Sequence, residues 1–174
     1  MKIDIARQPL VPAFMTLFAL AVAAMCAGIP VSDTSGAVRD ALPLLGGQLA
    51  RFQAAYPVWS KFAAGFMLLF TGMCAGRITI RYNLYTVGTC LPIPLYAIVA
   101  CGIATGGNYL AGFAASMLLA LATKNYCRAF CNGYGFDAIF RASLYLGLMP
   151  LVYAPGLPML LLLPLCLLYT SPSP

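Results

Sequence analysis

The sequence predicts an all-α protein, a multi-pass transmembrane bundle of five to six spans with one short amphipathic helix at the interface. Three observations carry that expectation. Of 174 residues only ten are Lys or Arg and four Asp or Glu. Hydrophobic residues make up 62% of the chain and the mean hydropathy is +0.89. The charges stand in short clusters between apolar runs long enough to cross a hydrocarbon core of about 30 Å. Such a chain has too little polar surface to cover a water-soluble globule, so lipid is its expected solvent.

The first apolar run, residues 9–29, follows Lys2 and Arg7 and closes at Pro30. Its charged start and apolar centre imitate a signal peptide, with Ala27-Gly28-Ile29-Pro30 as a cleavage alternative. A retained anchor is preferred, because the run is long and further spans follow. Ala19, Ala23 and Ala27 recur every four residues and predict a smooth packing stripe.

Residues 31–58 form the one long polar stretch. Asp33, Thr34 and Ser35 are helix-capping residue types. Leu42, Leu45, Leu49 and Phe52 recur at helical spacing, with Gln48 and Arg51 off their face, which predicts a short amphipathic helix on the membrane surface. Pro43, Gly46 and Gly47 weaken it, and an irregular loop is the alternative.

The second span covers about 58–75. Tyr56 and Trp59 sit at its start as interfacial aromatics do, and Lys61 can extend outward from its first turn. Gly72 and Gly76, four apart, predict close approach of another helix, with packing inside the bundle favoured over dimerisation. Arg77 and Arg81 are expected in a short basic loop. The third span, 82–104, contains Pro92 and Pro94, which predict a break at mid-depth. Thr86, Thr89 and Tyr96 stand beside it, so Thr86, Thr89, Pro92, Pro94 and Tyr96 form a candidate polar cavity.

After the uncharged turn 105–108 comes a fourth span, 109–123, with Gly112 and Ser116 as small residues. Lys124, Arg128, Asp137 and Arg141 populate the connection beyond it. Residues 138–168 are then almost unbrokenly apolar. Tyr153-Ala154-Pro155-Gly156 is a turn signal, and two short helices, 139–152 and 157–169, fit better than one rod. The domain expectation is thus a single helical domain over 1–168, followed by a tail at 169–174.

The basic clusters alternate along the chain, before the first span, after the second and after the fourth. The positive-inside rule places the N-terminus in the cytoplasm and 31–58 outside, in the plasma (inner) membrane of a bacterium. The composition also narrows the chemistry. There is no His, and the acids are Asp4, Asp33, Asp40 and Asp137. General acid–base catalysis and most metal sites draw on those residue types, so no catalytic, metal or cofactor site is expected. Whether the chain is an enzyme is left open, leaning to no, with a membrane enzyme on lipid-linked sugars or phosphates as the alternative that would need acids from further chain. Nucleic acid is not an expected partner despite the net charge of +6, because the basic residues never form a stripe. The expected partners are the bilayer and other membrane helices or subunits. Among the seven Cys, Cys127 and Cys131 would share a helix face, but two thiols without His or acid partners make a poor metal site. Arg77, Arg81, Lys124, Arg128 and Arg141 are candidate contacts for an anionic headgroup.

Residues 77–165 resemble an uncharacterised family of bacterial polytopic membrane proteins, a domain of unknown function. The resemblance rests on Arg77 to Asn83, Pro94-Leu95-Tyr96, Asn125-Tyr126, Phe136-Asp137-Ala138, Gly147-Leu148 and Leu151 to Pro155. It implies the polytopic topology and a native protein nearly twice as long, and it transfers no catalytic residue. Residues 167–174 resemble translated sequencing-adapter read-through, with a polar Ser/Pro-rich tail as the alternative. The functional expectation is a non-catalytic membrane component, or the N-terminal half of a larger polytopic protein. The alternative is a transporter, or a protein handling lipids or lipid-linked glycans, with its cavity at Pro92/Pro94.

Overall fold

A computed structural model of the chain describes residues 10–26, 44–82, 92–103, 108–131 and 135–162. Every regular element among them is helical: α1 (Leu10–Cys26), α2 (Leu44–Ala55), α3 (Pro57–Arg81), α4 (Pro92–Ile103), α5 (Tyr109–Cys131), α6 (Phe136–Val152) and a 3-10 helix (Ala154–Leu161). One described helix, α3, is long and apolar enough to cross a membrane. The expected tail 169–174 and the capping residues 33–35 lie outside the described residues.

α2 runs into α3 through a single elbow residue. Pro57 has no N–H and drives the residue before it out of helical conformation, so Tyr56 takes φ −132° and ψ 72°. The backbone still connects, because Tyr56 N–H donates to the Phe52 carbonyl at 2.9 Å. α3 then continues past the expected boundary at Ala75 to Arg81. Arg77 and Arg81 are therefore in its last turns and not in a loop. No breaker follows Gly76, and cations are favourable at a helix C-terminus. α5 likewise continues past Thr123, carrying Lys124 and Arg128 within the helix.

The long helices α3 and α5 run side by side in the same direction, tied near their starts by Ser60 and Tyr109. α4 packs antiparallel on α3: a Cβ on Gly76 would meet Ile93, and one on Gly72 would meet Tyr96 further along α4. α6 returns antiparallel along α5. Ala129 clusters with Ala138 and Ile139 at one end, and Ala111 and Ala114 with Val152 at the other. The bundle closes with α1 against α3 and α4, where Ala13, Leu17 and Ala21 join Leu68, Ile93 and Ala97.

Gly72 and Gly76 do receive helices of the same chain. A Cβ at Gly72 would lie 2.8 Å from Leu17, and one at Gly76 would lie 2.5 Å from Ile93. The packing stripe on α1 differs from the expectation. Its buried residues are Ala13, Leu17 and Ala21, while Ala19 is exposed. Ala23 lies in α1 with its side chain undescribed, and Ala27 is outside the described residues.

α2 corrects a second expectation. Leu45 and Phe52 are exposed, whereas Gly46 and Gln53 are buried and Leu49 packs into the bundle. Its inward face is one of small and polar residues, docked on α3, α5 and α6. The polar Gln53 faces inward because its Oε1 accepts from the Leu110 N–H at 3.5 Å. That N–H is in the first turn of α5, where no carbonyl of the same helix can reach it.

Among the described residues the prolines of α4 stand at its start. Pro92 opens α4 and Pro94 follows within its first turn. A missing N–H costs nothing there, because first-turn donors have no partner in their own helix. The break expected near residue 153 is present. α6 ends at Val152, Tyr153 is extended, and the Gly156 N–H donates to the Tyr153 carbonyl at 2.9 Å. Gly156 is buried against Met149, which folds the 3-10 helix back onto α6.

Candidate functional site

The parallel pairing of α3 and α5 gathers cations that the sequence scatters. Ser60 Oγ donates to the Pro57 carbonyl at 2.8 Å, so in the Ser60–Tyr109 contact at 2.6 Å the tyrosine hydroxyl is the donor. Both residues are buried, which fixes the two helices at a common height. At about 1.5 Å rise per residue, Arg77 and Lys124 then lie within about 3 Å of one height, and Arg81 and Arg128 pair one turn further out. Arg77 and Lys124 both lie within electrostatic reach of Cys74, which places Lys124 beside the α3 face that carries Cys74, Arg77 and Arg81. The antiparallel return of α6 brings Asp137 and Arg141 to the same end. All five candidate cations are exposed.

Asp137 is the one carboxylate among the described residues, and Arg141 takes it. Nη2 and Nε of Arg141 each stand 3.1 Å from an oxygen of Asp137, in a two-pronged i,i+4 pair. The side chains are 57% and 69% exposed, so water screens them and the pair contributes under about 1 kcal/mol. Asp137→Asn should therefore leave abundance and melting temperature nearly unchanged. A large drop in either would show that Asp137 has a structural role its exposure does not provide. Arg77, Arg81, Lys124 and Arg128 have no carboxylate partner among the described residues.

The candidate polar cavity is only partly brought together. Thr86 and Thr89 lie outside the described residues. Pro92, Pro94 and Tyr96 are half-buried in α4. Ser116 Oγ donates to the Phe113 carbonyl at 2.8 Å, leaving Tyr96 OH to donate to Ser116 at 3.2 Å. That hydrogen bond satisfies Tyr96 within the chain. Cys127 and Cys131 both lie on α5, and no three potential metal ligands gather among the described residues.

The buried polar positions are ones that sequence reasoning passed over. Ser60, Gln53 and Tyr109 tie α2, α3 and α5 together at the end opposite the cations. Thr71 is also buried, and its Oγ1 has no hydrogen-bond partner among the described residues. The available signal was a polar residue inside an apolar run, which in lipid belongs against protein. At the same end, Phe52, Tyr56, Trp59, Phe62, Ala63 and Phe66 line an open apolar groove. Comparison of the chain with protein-family models, with curated proteins and with solved structures finds no match.

Proposed function

We propose that the chain is a multi-pass integral protein of five to six spans in the bacterial plasma (inner) membrane, serving as a non-catalytic component that packs against other helices or subunits. One observation carries the membrane reading: large and small apolar side chains have exchanged places. Nine of the ten phenylalanines are exposed, at 37% or more, and Phe113 is the exception. Among the described residues, twelve of the twenty-four buried apolar ones are alanine. Water drives large apolar side chains inward, because their transfer gains most. Lipid removes that preference, and helices then associate through small residues that let backbones approach. Exposed Phe14, Phe18, Phe66, Phe70, Ile98, Val99, Phe140 and Leu144 fit a hydrocarbon surround and not an aqueous one.

The non-catalytic role draws its support from composition. A chain without His and with four acids lacks the residues that most reaction classes use for proton transfer. The cationic end is assigned to the cytoplasm and the Tyr56/Trp59 end to the exterior, in accord with the positive-inside rule.

Topology reporters test this arrangement. Fusions after Gln53 should report an external location, and fusions after Arg81 or Arg128 a cytoplasmic one. The full chain should resist alkaline extraction from membranes. The reverse reporter pattern would overturn the orientation, and release by alkali would overturn the embedding.

A further inference from the structure

Resting on the membrane reading, we infer that the cleft between the outer halves of α3 and α5 binds the headgroup of a phospholipid carrying two phosphates, held by Arg77 with Lys124 and by Arg81 with Arg128. The positive-inside bias explains why basic residues gather at one end, but not how they are arranged. Each helix presents two cations at i,i+4, a like-charge spacing that is unfavourable by itself. The two helices run parallel, with the pairs at matched heights. Lys124 and Arg77 are each near enough to Cys74 to act on it electrostatically, which puts these two cations of different helices in one neighbourhood. Asp137, the one described carboxylate, is occupied by Arg141 on α6. Four adjacent cations are thus left with no protein counter-charge among the described residues.

The membrane boundary falls at this place. α3 has 25 residues, about 37 Å of helix against a hydrocarbon core of about 30 Å. With Tyr56 and Trp59 at one interface, Arg77 and Arg81 emerge at the other, at phosphate depth. Guanidinium groups accept phosphate oxygens in two-pronged fashion, and an ammonium adds a point charge. Two tiers of cations, one helical turn apart, match two linked phosphates better than one. The exposed Phe70 and Met73 lie on the same helix just inside the tiers, where acyl chains begin.

The test titrates the detergent-purified full chain with fluorescent cardiolipin. Unlabelled cardiolipin, phosphatidylglycerol at equal total phosphate, and inorganic phosphate serve as competitors. Saturable binding is expected, displaced by cardiolipin better than by phosphatidylglycerol and not by inorganic phosphate. R77Q/K124Q should weaken binding about 30-fold, about fivefold for each cation removed. R51Q, which removes an exposed cation at the opposite end, should leave it unchanged. Should R77Q/K124Q fail to fold, R81Q/R128Q in the outermost turns should abolish the preference for cardiolipin over phosphatidylglycerol. Equal competition by the two lipids, equal weakening by R51Q, or displacement by inorganic phosphate would each overturn the two-phosphate lipid site. Alkaline extraction and topology reporters decide the membrane reading separately, so a chain that stays embedded but shows no selectivity refutes the headgroup site alone.

Discussion

Phe66→Asp should cost the chain about 3 kcal/mol of insertion free energy, a more than hundredfold loss on the insertion equilibrium. Phe66 is 67% exposed and lies near the middle of α3, four residues before Phe70, with which its ring stacks. In water an exposed Phe changed to Asp away from any partner would shift stability by no more than about 0.5 kcal/mol. In hydrocarbon the same carboxylate loses its hydration with nothing to replace it. The two solvents therefore predict effects of very different size from one substitution. The measurement is the fraction of full-length chain in the alkali-resistant membrane pellet, with Phe66→Leu as the apolar control. Asp at this position with undiminished membrane abundance, or a folded variant in the soluble fraction, would sink the lipid-facing assignment of α3.

Gly76→Ala should destabilise the folded bundle by about 1–3 kcal/mol, the usual range for overfilling a packed site. The added methyl would stand 2.5 Å from both Cγ1 and Cδ1 of Ile93, which is 1% exposed and has little room to move. Ile93→Ala alone removes packing and should also destabilise. Combined, the two should cost less than their sum by at least about 1 kcal/mol, because each relieves the defect left by the other. Gly147→Ala is the internal control. Nothing lies within 4 Å of a Cβ there, so the change should be neutral or stabilising by up to about 1 kcal/mol through reduced backbone freedom in the unfolded chain. Denaturant titration in mild detergent, read by circular dichroism, measures all four variants. Additive behaviour of Gly76→Ala and Ile93→Ala would remove α4 from the surface of α3.

The polar contacts divide by how far apart their partners lie in sequence. Asp137 and Arg141 were legible because four residues are one helical turn, and any helix through them brings the pair together. The end of α6 before Tyr153 was legible for a similar reason, since Pro155 and Gly156 do not continue an α-helix, and a 3-10 helix follows from Ala154. Ser60 with Tyr109 and Gln53 with Leu110 were not legible: 49 and 57 positions separate them. No local rule pairs a serine in one apolar run with a tyrosine opening another. The effect of the prolines was not legible, because it depends on their position within a helix. At mid-helix Pro92 and Pro94 would leave carbonyls unpaired, but in the first turn of α4 they leave none.

What the sequence by itself determined was the all-helical class and the apolar character of the chain. Those follow from sums over many residues, hydropathy and helix-compatible composition, that do not depend on which helix meets which. What only the tertiary structure decided was the choice of faces. On α1 nearly every side chain is apolar, so periodicity carries almost no contrast, and Ala19 was as plausible an inward residue as Ala21. The decision went to Ala13, Leu17 and Ala21 because Gly72 and Gly76 of α3 leave a depression that Leu17 and, from α4, Ile93 fill. The four cations of α3 and α5 are a second case. Their types and their emergence from apolar runs were readable one by one. Their nearness in height was not readable, because it depends on the hydrogen bond between Ser60 and Tyr109, which relates two helices far apart in sequence.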